Sequence, residues 1–155
     1  MVSQSVIATK VAEEEKQAQK SKLVMVASRG TADGLYPALI LATTGASQGM
    51  EVHVYFTFGG MKLLTKATAN SIVPSLDLGI PADQLRALLA KGGMPTLGGM
   101  LKMARDAGVK IHACSPTMAL FGTRREDLVD EVVDVIGAAA FLELATQPEA
   151  LTLFI

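Results

Sequence analysis

Short runs of apolar residues recur along the chain, and each has the pattern of a β-strand that is covered on both faces. They are LVMVAS at 23–28, EVHVYFTF at 51–58, VKIHAC at 109–114, EVVDVI at 131–136 and LTLFI at 151–155. Strands of a parallel sheet are buried on both sides, so their sequences are continuous apolar runs rather than alternating ones. The pattern therefore predicts five strands that pair mainly in parallel.

The segments between these runs have helical patterns. Leu35, Leu39, Ala42 and Ala46 recur at helical spacing as far as Gly49, where glycine is favoured beyond a helix C-terminus. Further helices are predicted at 61–69, 82–89, 100–107, 115–121 and 137–147, and one more from the T-x-x-E capping spacing at 123–126.

Strands that alternate with helices predict an α/β fold, a three-layer α/β/α domain around a five-stranded, mainly parallel sheet. Residues 22–155 are assigned to this single domain. Residues 1–21 are polar, with many Glu, Lys, Gln and Ala residues and barely an apolar stripe. They are predicted to be an N-terminal arm or helix, either frayed or in contact within an oligomer.

Composition narrows the classes of function. The 14 Lys and Arg residues are matched by 15 Asp and Glu residues, no basic run occurs, and Trp is absent, which argues against a nucleic-acid partner. The longest apolar stretch, 135–142, is too short to cross a membrane. One cysteine among 155 residues fits a reducing compartment. We therefore expect a cytoplasmic protein without a membrane partner.

Cys114 is the side chain in this sequence that is best suited to nucleophilic chemistry. It ends a predicted strand and precedes Ser115 and Pro116, which are typical of a helix N-cap and first position. Free N–H groups at a helix start favour a thiolate and lower the pKa of a cysteine. The alternative is that Cys114 acts as a small buried hydrophobe.

His112 is two residues before Cys114, so both side chains point to the same face of the strand. The two residues could act as a Cys/His pair or could belong to a metal site. The alternative is that His112 is a packed, hydrogen-bonded residue of the strand. A zinc site needs three or four ligands, and the only other histidine is His53. Neither a metal nor another cofactor is predicted.

Two further segments reach the carboxyl edge of the predicted sheet, where sites of such folds gather. The first contains Gly30, Thr31 and Asp33, and the second contains Gly59 and Gly60 followed by Met61. Neither has a nucleotide-binding glycine spacing. The glycines serve either backbone contact with an anion or turn geometry. Five methionines near these segments serve either as an adaptable cover for Cys114 or as core filler, and they are Met61, Met94, Met100, Met103 and Met118.

Several segments together resemble the DsrE/DsrF-like family. They are Ser28–Asp33, Phe56–Leu64 and Gly108–Cys114, followed by Met118, 126–128 and 151–155, and they stand in the family's order. The resemblance covers nearly everything from Leu23 to the end. It implies an α/β protein, commonly a homo-oligomer, that holds sulfur on a cysteine as a persulfide or thiosulfonate and passes it to a partner.

One branch of that family carries an A-C-x-x-S-M pattern, which here reads Ala113-Cys114-Ser115-Pro116-Thr117-Met118. Threonine replaces serine and keeps the hydroxyl, whereas Ala119 stands where an acidic residue often follows. Some relatives have a second, resolving cysteine that this chain lacks. The difference favours a one-thiol carrier that gives its sulfur to another protein or to a small thiol.

The leading hypothesis is a sulfur carrier or sulfurtransferase that works through Cys114. Ser115, Thr117, Met118 and His112 are the supporting residues beside the thiol, with the 28–34 and 58–62 segments at the rim. Two alternatives stay open. The chain is a small-anion or nucleotide binding module that uses those two segments, or it is a non-catalytic oligomeric subunit whose thiol is buried.

Overall fold

The computed structural model describes residues 3–18 and 20–155, with the side chains of 12–18 excepted. The helices are α1 (Gln4–Ala18), α2 (Ala32–Ser47), α3 (Met61–Leu64), α4 (Ala82–Lys91), α5 (Leu97–Asp106), α6 (Ser115–Phe121) and α7 (Ala138–Ala145). The strands are β1 (Lys22–Ala27), β2 (Glu51–Phe56), β3 (Lys110–Cys114), β4 (Asp134–Ile136) and β5 (Ala150–Phe154). All five strands lie within two or three residues of their predicted bounds.

The strands form one sheet in the order β4-β3-β2-β1-β5, and every neighbouring pair is parallel. The predicted α/β fold with a five-stranded sheet is confirmed. β2 lies between β1 and β3, so the strand that ends at Cys114 has β2 on one side and β4 on the other. Tyr55 is in register with His112, and Cys114 is in register with Ile136.

The two faces of the sheet are covered very differently. Helices α2 and α5 cover one face and form the main core with alternate residues of the strands, such as Met25, Val54 and Ile111. Leu35, which α2 contributes, is fully buried, and burial of a leucine stabilises the fold by about 1.5–3 kcal/mol. The other face carries a much smaller cluster, to which Cys114 belongs.

Helix α7 covers this second face, and its cover is thin. Its sequence, AAAFLELA, is apolar, but none of its residues is buried. Phe141 packs against the small cluster from one side of the helix, while Leu142 on the other side is 54% exposed. In the part of the chain that the structure describes, the layer packed over Cys114 is this short helix, whose own residues are at most half-buried.

The helix predicted at 61–69 ends at Leu64 because the chain there pairs with a distant segment. The Leu64 carbonyl accepts a hydrogen bond from the Val129 N–H at 2.8 Å, and Lys66 N–H donates to the Asp127 carbonyl at 2.9 Å. These bonds replace the helical ones, so tertiary pairing overrides the local helical preference.

The helix predicted from 123–126 is also wrong. Residues Arg125–Asp127 form a single 3₁₀ turn. Its N-cap is Arg124, and the carboxylate of Asp127, the third residue of the turn, accepts a hydrogen bond from the Arg124 N–H at 2.8 Å. The turn therefore begins one residue later than the motif predicted.

The predicted N-terminal arm contains helix α1, and its described side chains, including Val6, Ile7 and Val11, are exposed. The division into 1–21 and 22–155 stays a prediction, and Met1, Val2 and Gln19 lie outside the described residues. The longest described helix, α2, has 16 residues, and none in the described ranges is both long and apolar enough to cross a membrane.

Candidate functional site

Cys114 lies at the junction of β3 and α6. It is the last residue of the strand and takes the N-cap position of the helix, with Ser115 and Pro116 in the first helical turn. The sequence had placed the N-cap at Ser115, whose side chain is instead exposed. Gly122 ends α6 in the left-handed conformation, at φ 65°, as a glycine at this position is expected to do.

Two hydroxyl groups converge on the sulfur of Cys114. Tyr55 Oη donates a hydrogen bond to Sγ at 2.9 Å, and Thr117 Oγ1 donates another at 3.1 Å. Cys114 is 3% exposed and Thr117 is 1% exposed. The thiol therefore has two donors that can stabilise a negative charge in a place that water barely reaches.

Thr117 is itself held in place by the residues that follow β2. The Phe58 N–H donates to Thr117 Oγ1 at 3.1 Å, and Thr57 Oγ1 lies 3.1 Å from the same oxygen. Because Thr117 uses its one hydroxyl hydrogen on the sulfur, the Thr57 hydroxyl must be the donor of that second bond. Both bonds orient and polarise the Thr117 hydroxyl toward Cys114.

Phe58 has an unusual backbone conformation beside the site. Its φ is 43°, and it is the only non-glycine residue with a positive φ among the described residues. A bulky residue in this region is strained by about 1–3 kcal/mol. The same residue donates its N–H to Thr117, and its phenyl ring is 59% exposed at the carboxyl edge of the sheet.

These contacts set the ionisation of the thiol. Burial raises the pKa of Cys114, because a buried thiolate loses solvation. The hydroxyls of Thr117, Thr57 and Tyr55 and the backbone N–H of Thr117 lower it by more, so the pKa lies below the ordinary value. For Tyr55, burial and the hydrogen bond to Cys114 raise the pKa, so its hydroxyl keeps its proton and remains a donor.

The sulfur is covered from above by α7. Phe141 stacks on Tyr55 with 5.0 Å between the ring centroids and 26° between the planes. Val26 and Ile136 complete the apolar surroundings of the thiol. With 3% of Cys114 exposed, a reagent reaches the sulfur only after some part of this cover moves.

His112 lies on the same face as Cys114 but belongs to a different cluster. Its Nε2 is 2.8 Å from Nδ1 of His53, and its Nδ1 is hydrogen-bonded to the Asp134 carboxylate. No hydrogen bond joins His112 to the sulfur in the part of the chain that the structure describes. In the same residues, no three His, Cys, Asp or Glu side chains are arranged to hold a metal ion.

The glycines of the two predicted rim segments allow the backbones of those segments to touch. A Cβ on Gly30 would lie 2.4 Å from the Gly59 carbonyl oxygen, and one on Gly60 would lie 2.1 Å from the Ala27 carbonyl oxygen. Gly60 N–H donates to Ser28 at 3.1 Å. The geometry thus favours close packing of the loops as the reason for these glycines.

The first rim segment contains the start of α2 and anchors a neighbouring loop. Thr31 is the N-cap of α2, and its carbonyl accepts from Leu35 N–H at 3.0 Å. Asp33 accepts bonds from the Ser75 hydroxyl at 2.6 Å and the Ser75 N–H at 2.7 Å. These bonds lower the pKa of Asp33, and they anchor the loop at 73–79.

The methionines are divided between the core and the surface. Met61, Met100 and Met118 are buried in the main core with α2 and α5, on the face opposite Cys114. Met94 and Met103 are exposed. Among the described residues, the small cluster around Cys114 contains no methionine, and the side chains that cover the thiol are aromatic and aliphatic.

Comparison with known proteins places the chain in a family. The model of the DsrE/DsrF/DrsH-like family matches residues 19–80 and 77–154. The chain belongs to this family. It is 30% identical over 154 residues to the sulfur carrier protein DsrE2 of Allochromatium vinosum, a match that covers 84% of this chain and 96% of that protein.

Other members and neighbours of this DsrE-like chain are less informative about chemistry. The uncharacterized protein YrkE of Bacillus subtilis is 26% identical over 146 residues, which cover 80% of this chain and 91% of YrkE. Two solved structures share the fold. MTH1491 from Methanobacterium thermoautotrophicum, a protein of unknown function, has a TM-score of 0.60 at 13% identity, over 86% of this chain and 98% of its own. The ychN protein from E. coli has a TM-score of 0.61 at 14% identity, over 87% and 99%.

Sequence reasoning missed three residues of this DsrE-like site, namely Tyr55, Thr57 and Phe141, and it placed Phe58 in the 58–62 rim segment without predicting its bond to Thr117. Tyr55 reaches the sulfur only because β2 pairs with β3, and strand order was not predicted. The sequence does contain one signal for these residues. Side chains alternate between the two faces of a strand, so Tyr55 and Thr57 share one face of the run at 51–58. No sequence signal indicates the positive φ of Phe58.

Proposed function

We propose that this protein is a sulfur carrier that holds sulfane sulfur on Cys114. The observation that supports it most is the pair of hydroxyl donors, Tyr55 and Thr117, on a thiol whose pKa is lowered although it is buried. Membership of the family and the likeness to a protein named as a sulfur carrier support the same role.

Loading is an attack of the Cys114 thiolate on the outer sulfur of a persulfide or thiosulfate-like donor. A new S–S bond forms at Sγ, the donor's S–S bond breaks, and its thiolate or sulfite leaves with the electron pair. The hydroxyls of Tyr55 and Thr117 stabilise the attacking thiolate. A lowered thiol pKa keeps more of the cysteine in the reactive form at neutral pH.

Unloading is the same exchange in reverse order. An acceptor thiolate attacks the outer sulfur of the Cys114 persulfide, and the Cys114 thiolate leaves. The two hydroxyl donors make it a good leaving group, because they stabilise the negative charge that returns to Sγ. The sequence contains one cysteine, so the acceptor thiol belongs to another protein or to a small molecule. Homo-oligomer formation stays a prediction.

The test is intact-mass spectrometry of the native protein after incubation with a persulfide, thiosulfate or tetrathionate, with Cys114→Ser treated in parallel. We expect an adduct on wild type only, which a reducing thiol removes. An equal adduct on Cys114→Ser would contradict the proposed carrier. Absence of an adduct with every donor would favour the non-catalytic subunit, an alternative that the burial of Cys114 supports.

Access to Cys114 is expected to depend on the α7 cover. Phe141→Ala removes the stacking on Tyr55, a contact of about 0.5–1.5 kcal/mol beyond area burial. If α7 opens before reaction, iodoacetamide should alkylate Cys114 of this variant about two- to tenfold faster than wild type, since 1.4 kcal/mol corresponds to a factor of ten. Leu142→Ala is the matched control, because Leu142 is on the same helix and exposed.

A faster reaction in Phe141→Ala alone would support opening of α7 as the entry route. Equal rates in wild type and both variants would show that the reagent reaches the thiol from another side. The candidate entry route would then be the junction of β3 and α6.

A further inference from the structure

A row of charged and imidazole side chains crosses the sheet on the face that carries Cys114. Lys22 on β1, Glu51 and His53 on β2, His112 on β3 and Asp134 on β4 contact one another in sequence. Both histidines are buried. The proposed sulfur chemistry uses none of these five side chains.

The hydrogen bonds in this row need more hydrogen atoms than neutral histidines can supply. His53 Nε2 lies 2.7 Å from Glu51 Oε1, His53 Nδ1 lies 2.8 Å from His112 Nε2, and His112 Nδ1 bonds Asp134. Each of these three bonds requires one hydrogen. A neutral imidazole carries one hydrogen, and an ionised carboxylate carries none.

The neutral pair therefore leaves one of the bonds without its hydrogen. If both rings donate to their carboxylates, two nitrogen lone pairs face each other across 2.8 Å, which is repulsive. If one ring turns its hydrogen toward the other ring, its own nitrogen faces a carboxylate oxygen instead. One additional proton satisfies all three bonds at once.

We propose that His53 and His112 form a binding site for a single shared proton, held between two carboxylates and across the β2–β3 pair. In this state His53 Nε2 donates to Glu51 and His112 Nδ1 donates to Asp134. The third hydrogen lies between His53 Nδ1 and His112 Nε2. The proposal does not depend on the sulfur-carrier role.

The carboxylates do not supply the third hydrogen. The hydrogen bond from His53 and the nearby Lys22 ammonium lower the pKa of Glu51 against the effect of its own burial. Lys22 Nζ lies 3.4 Å from Glu51 Oε2, so the ionised form of Glu51 is stabilised. The Asp134 side chain is 53% exposed, and water solvates its charge.

The site takes one proton and resists a second. Burial lowers the pKa of His53, a bond to Glu51 opposes this effect, and a charge on His112 lowers it further. A proton on one ring thus disfavours a proton on the other. Among the described residues, Lys110 on β3 and Glu143 on α7 line the same cleft, and Glu149 lies at the Lys22 end of the row, with its Oε1 3.9 Å from Lys22 Nζ.

Loss of the shared proton changes the contact between two strands that carry the site. One of the three bonds must break, and the rings must separate or turn. His53 is two residues before Tyr55, and His112 is two residues before Cys114. The movement of the rings therefore occurs on the same face of the sheet, next to the residues of the thiol site.

Substitution of either carboxylate by its amide provides the test. In Asp134→Asn the amide can donate to His112 Nδ1, so a neutral His112 is free to donate from Nε2 to His53, and all three bonds form without an extra proton. In Glu51→Gln the amide donates to His53 Nε2, and His53 then donates from Nδ1 to His112. Asp134→Asn should thus move the hydrogen of His112 from Nδ1 to Nε2, whereas Glu51→Gln should move the hydrogen of His53 from Nε2 to Nδ1.

The measurement is an NMR titration of the ¹⁵N-labelled imidazoles in wild type and both variants. In wild type, both rings should respond in both of two steps, separated by more than about one pH unit, as coupled sites do. The variants should bind the first proton at least about tenfold more weakly. Neutral His112 should be the Nε2–H tautomer in Asp134→Asn, and neutral His53 the Nδ1–H tautomer in Glu51→Gln.

The tautomers separate this proposal from a simple effect of charge. Removal of a carboxylate charge weakens proton binding in any arrangement, but it does not move a hydrogen from one ring nitrogen to the other. Independent single-step titration of the two histidines in wild type would overturn the proposal. So would an Nδ1–H tautomer of neutral His112 in folded Asp134→Asn, and if that variant does not fold, an Nε2–H tautomer of neutral His53 in Glu51→Gln.

Discussion

With Tyr55→Phe and Thr117→Val combined, the pH midpoint of Cys114 reactivity is expected to rise by about two pH units. A hydrogen bond to a charged group contributes about 1.5–3 kcal/mol, and 1.36 kcal/mol corresponds to one pKa unit. Each hydroxyl therefore lowers the pKa of the thiol by about one unit or more. Both bonds reach the sulfur directly, at 2.9 Å and 3.1 Å. Their loss destabilises the thiolate more than the thiol, because hydrogen bonds to an ionised acceptor are stronger.

The reaction rate at neutral pH falls by less than the loss of thiolate alone would give. At a pH below both midpoints, a rise of two units reduces the thiolate fraction about a hundredfold. A more basic thiolate is also more nucleophilic, with a Brønsted coefficient of about 0.4–0.5. The remaining thiolate therefore reacts about tenfold faster than that of wild type. The rate near neutral pH should therefore fall about tenfold, and the rate at high pH should exceed that of wild type.

The rate of alkylation by iodoacetamide, recorded from acid to alkaline pH, measures both quantities. Thr117→Ser is the matched control, because it keeps the hydroxyl and should leave the midpoint unchanged. Thr117→Val also leaves the Phe58 N–H without an acceptor, at a cost of about 1–3 kcal/mol, so thermal unfolding of each variant should be followed in parallel. An unchanged midpoint in a folded double variant would show that the hydroxyls do not control the thiol.

A second large effect is expected from Gly60→Ala, which should cost at least about 4 kcal/mol of stability or prevent folding. The new Cβ would lie 2.1 Å from the Ala27 carbonyl oxygen. That oxygen cannot retreat easily, because it ends β1 and accepts a hydrogen bond from Thr57 N–H at 3.1 Å. Since Thr57 and Phe58 orient Thr117, the loss of this turn would also disrupt the thiol site.

Urea unfolding measures this effect, and Gly98→Ala is its control. A Cβ at Gly98 meets no atom within 4 Å. The residue lies in the first turn of α5, where the preference for alanine over glycine is smaller than the value of about 0.8–1.0 kcal/mol in a helix interior. Gly98→Ala should therefore be neutral or slightly stabilising. Equal stabilities of the two variants would mean that the backbones of the 27–30 and 57–60 segments can separate at little cost.

The position of Cys114 could be predicted because it depends on neighbouring residues alone. An apolar run, a cysteine and then Ser115-Pro116 define a strand end and a helix start within a few residues. The same local reasoning placed His112 and Cys114 on one face. It could not show that His112 bonds His53, because that contact depends on which strands are neighbours.

The partners of the thiol could not be predicted for a similar reason. Tyr55 and Cys114 are 59 residues apart, and their contact requires the pairing of β2 with β3. The truncated helix α3 has the same cause, since it ends where the chain pairs with residues 127–129. Thr117 was identified from a pattern, but its bond to the Phe58 N–H joins residues 59 positions apart and depends on the same pairing of strands.

The contact between Tyr55 and the sulfur has an optical consequence. The chain has two tyrosines and no tryptophan, so its ultraviolet fluorescence is tyrosine emission. One emitter, Tyr36, donates its hydroxyl to the Pro95 carbonyl, whereas the other has its phenol hydroxyl on Sγ. In Tyr36→Phe the remaining emission comes from the ring that touches Cys114. The protein thus contains an intrinsic reporter of the chemical state of its thiol, which can be read without a label.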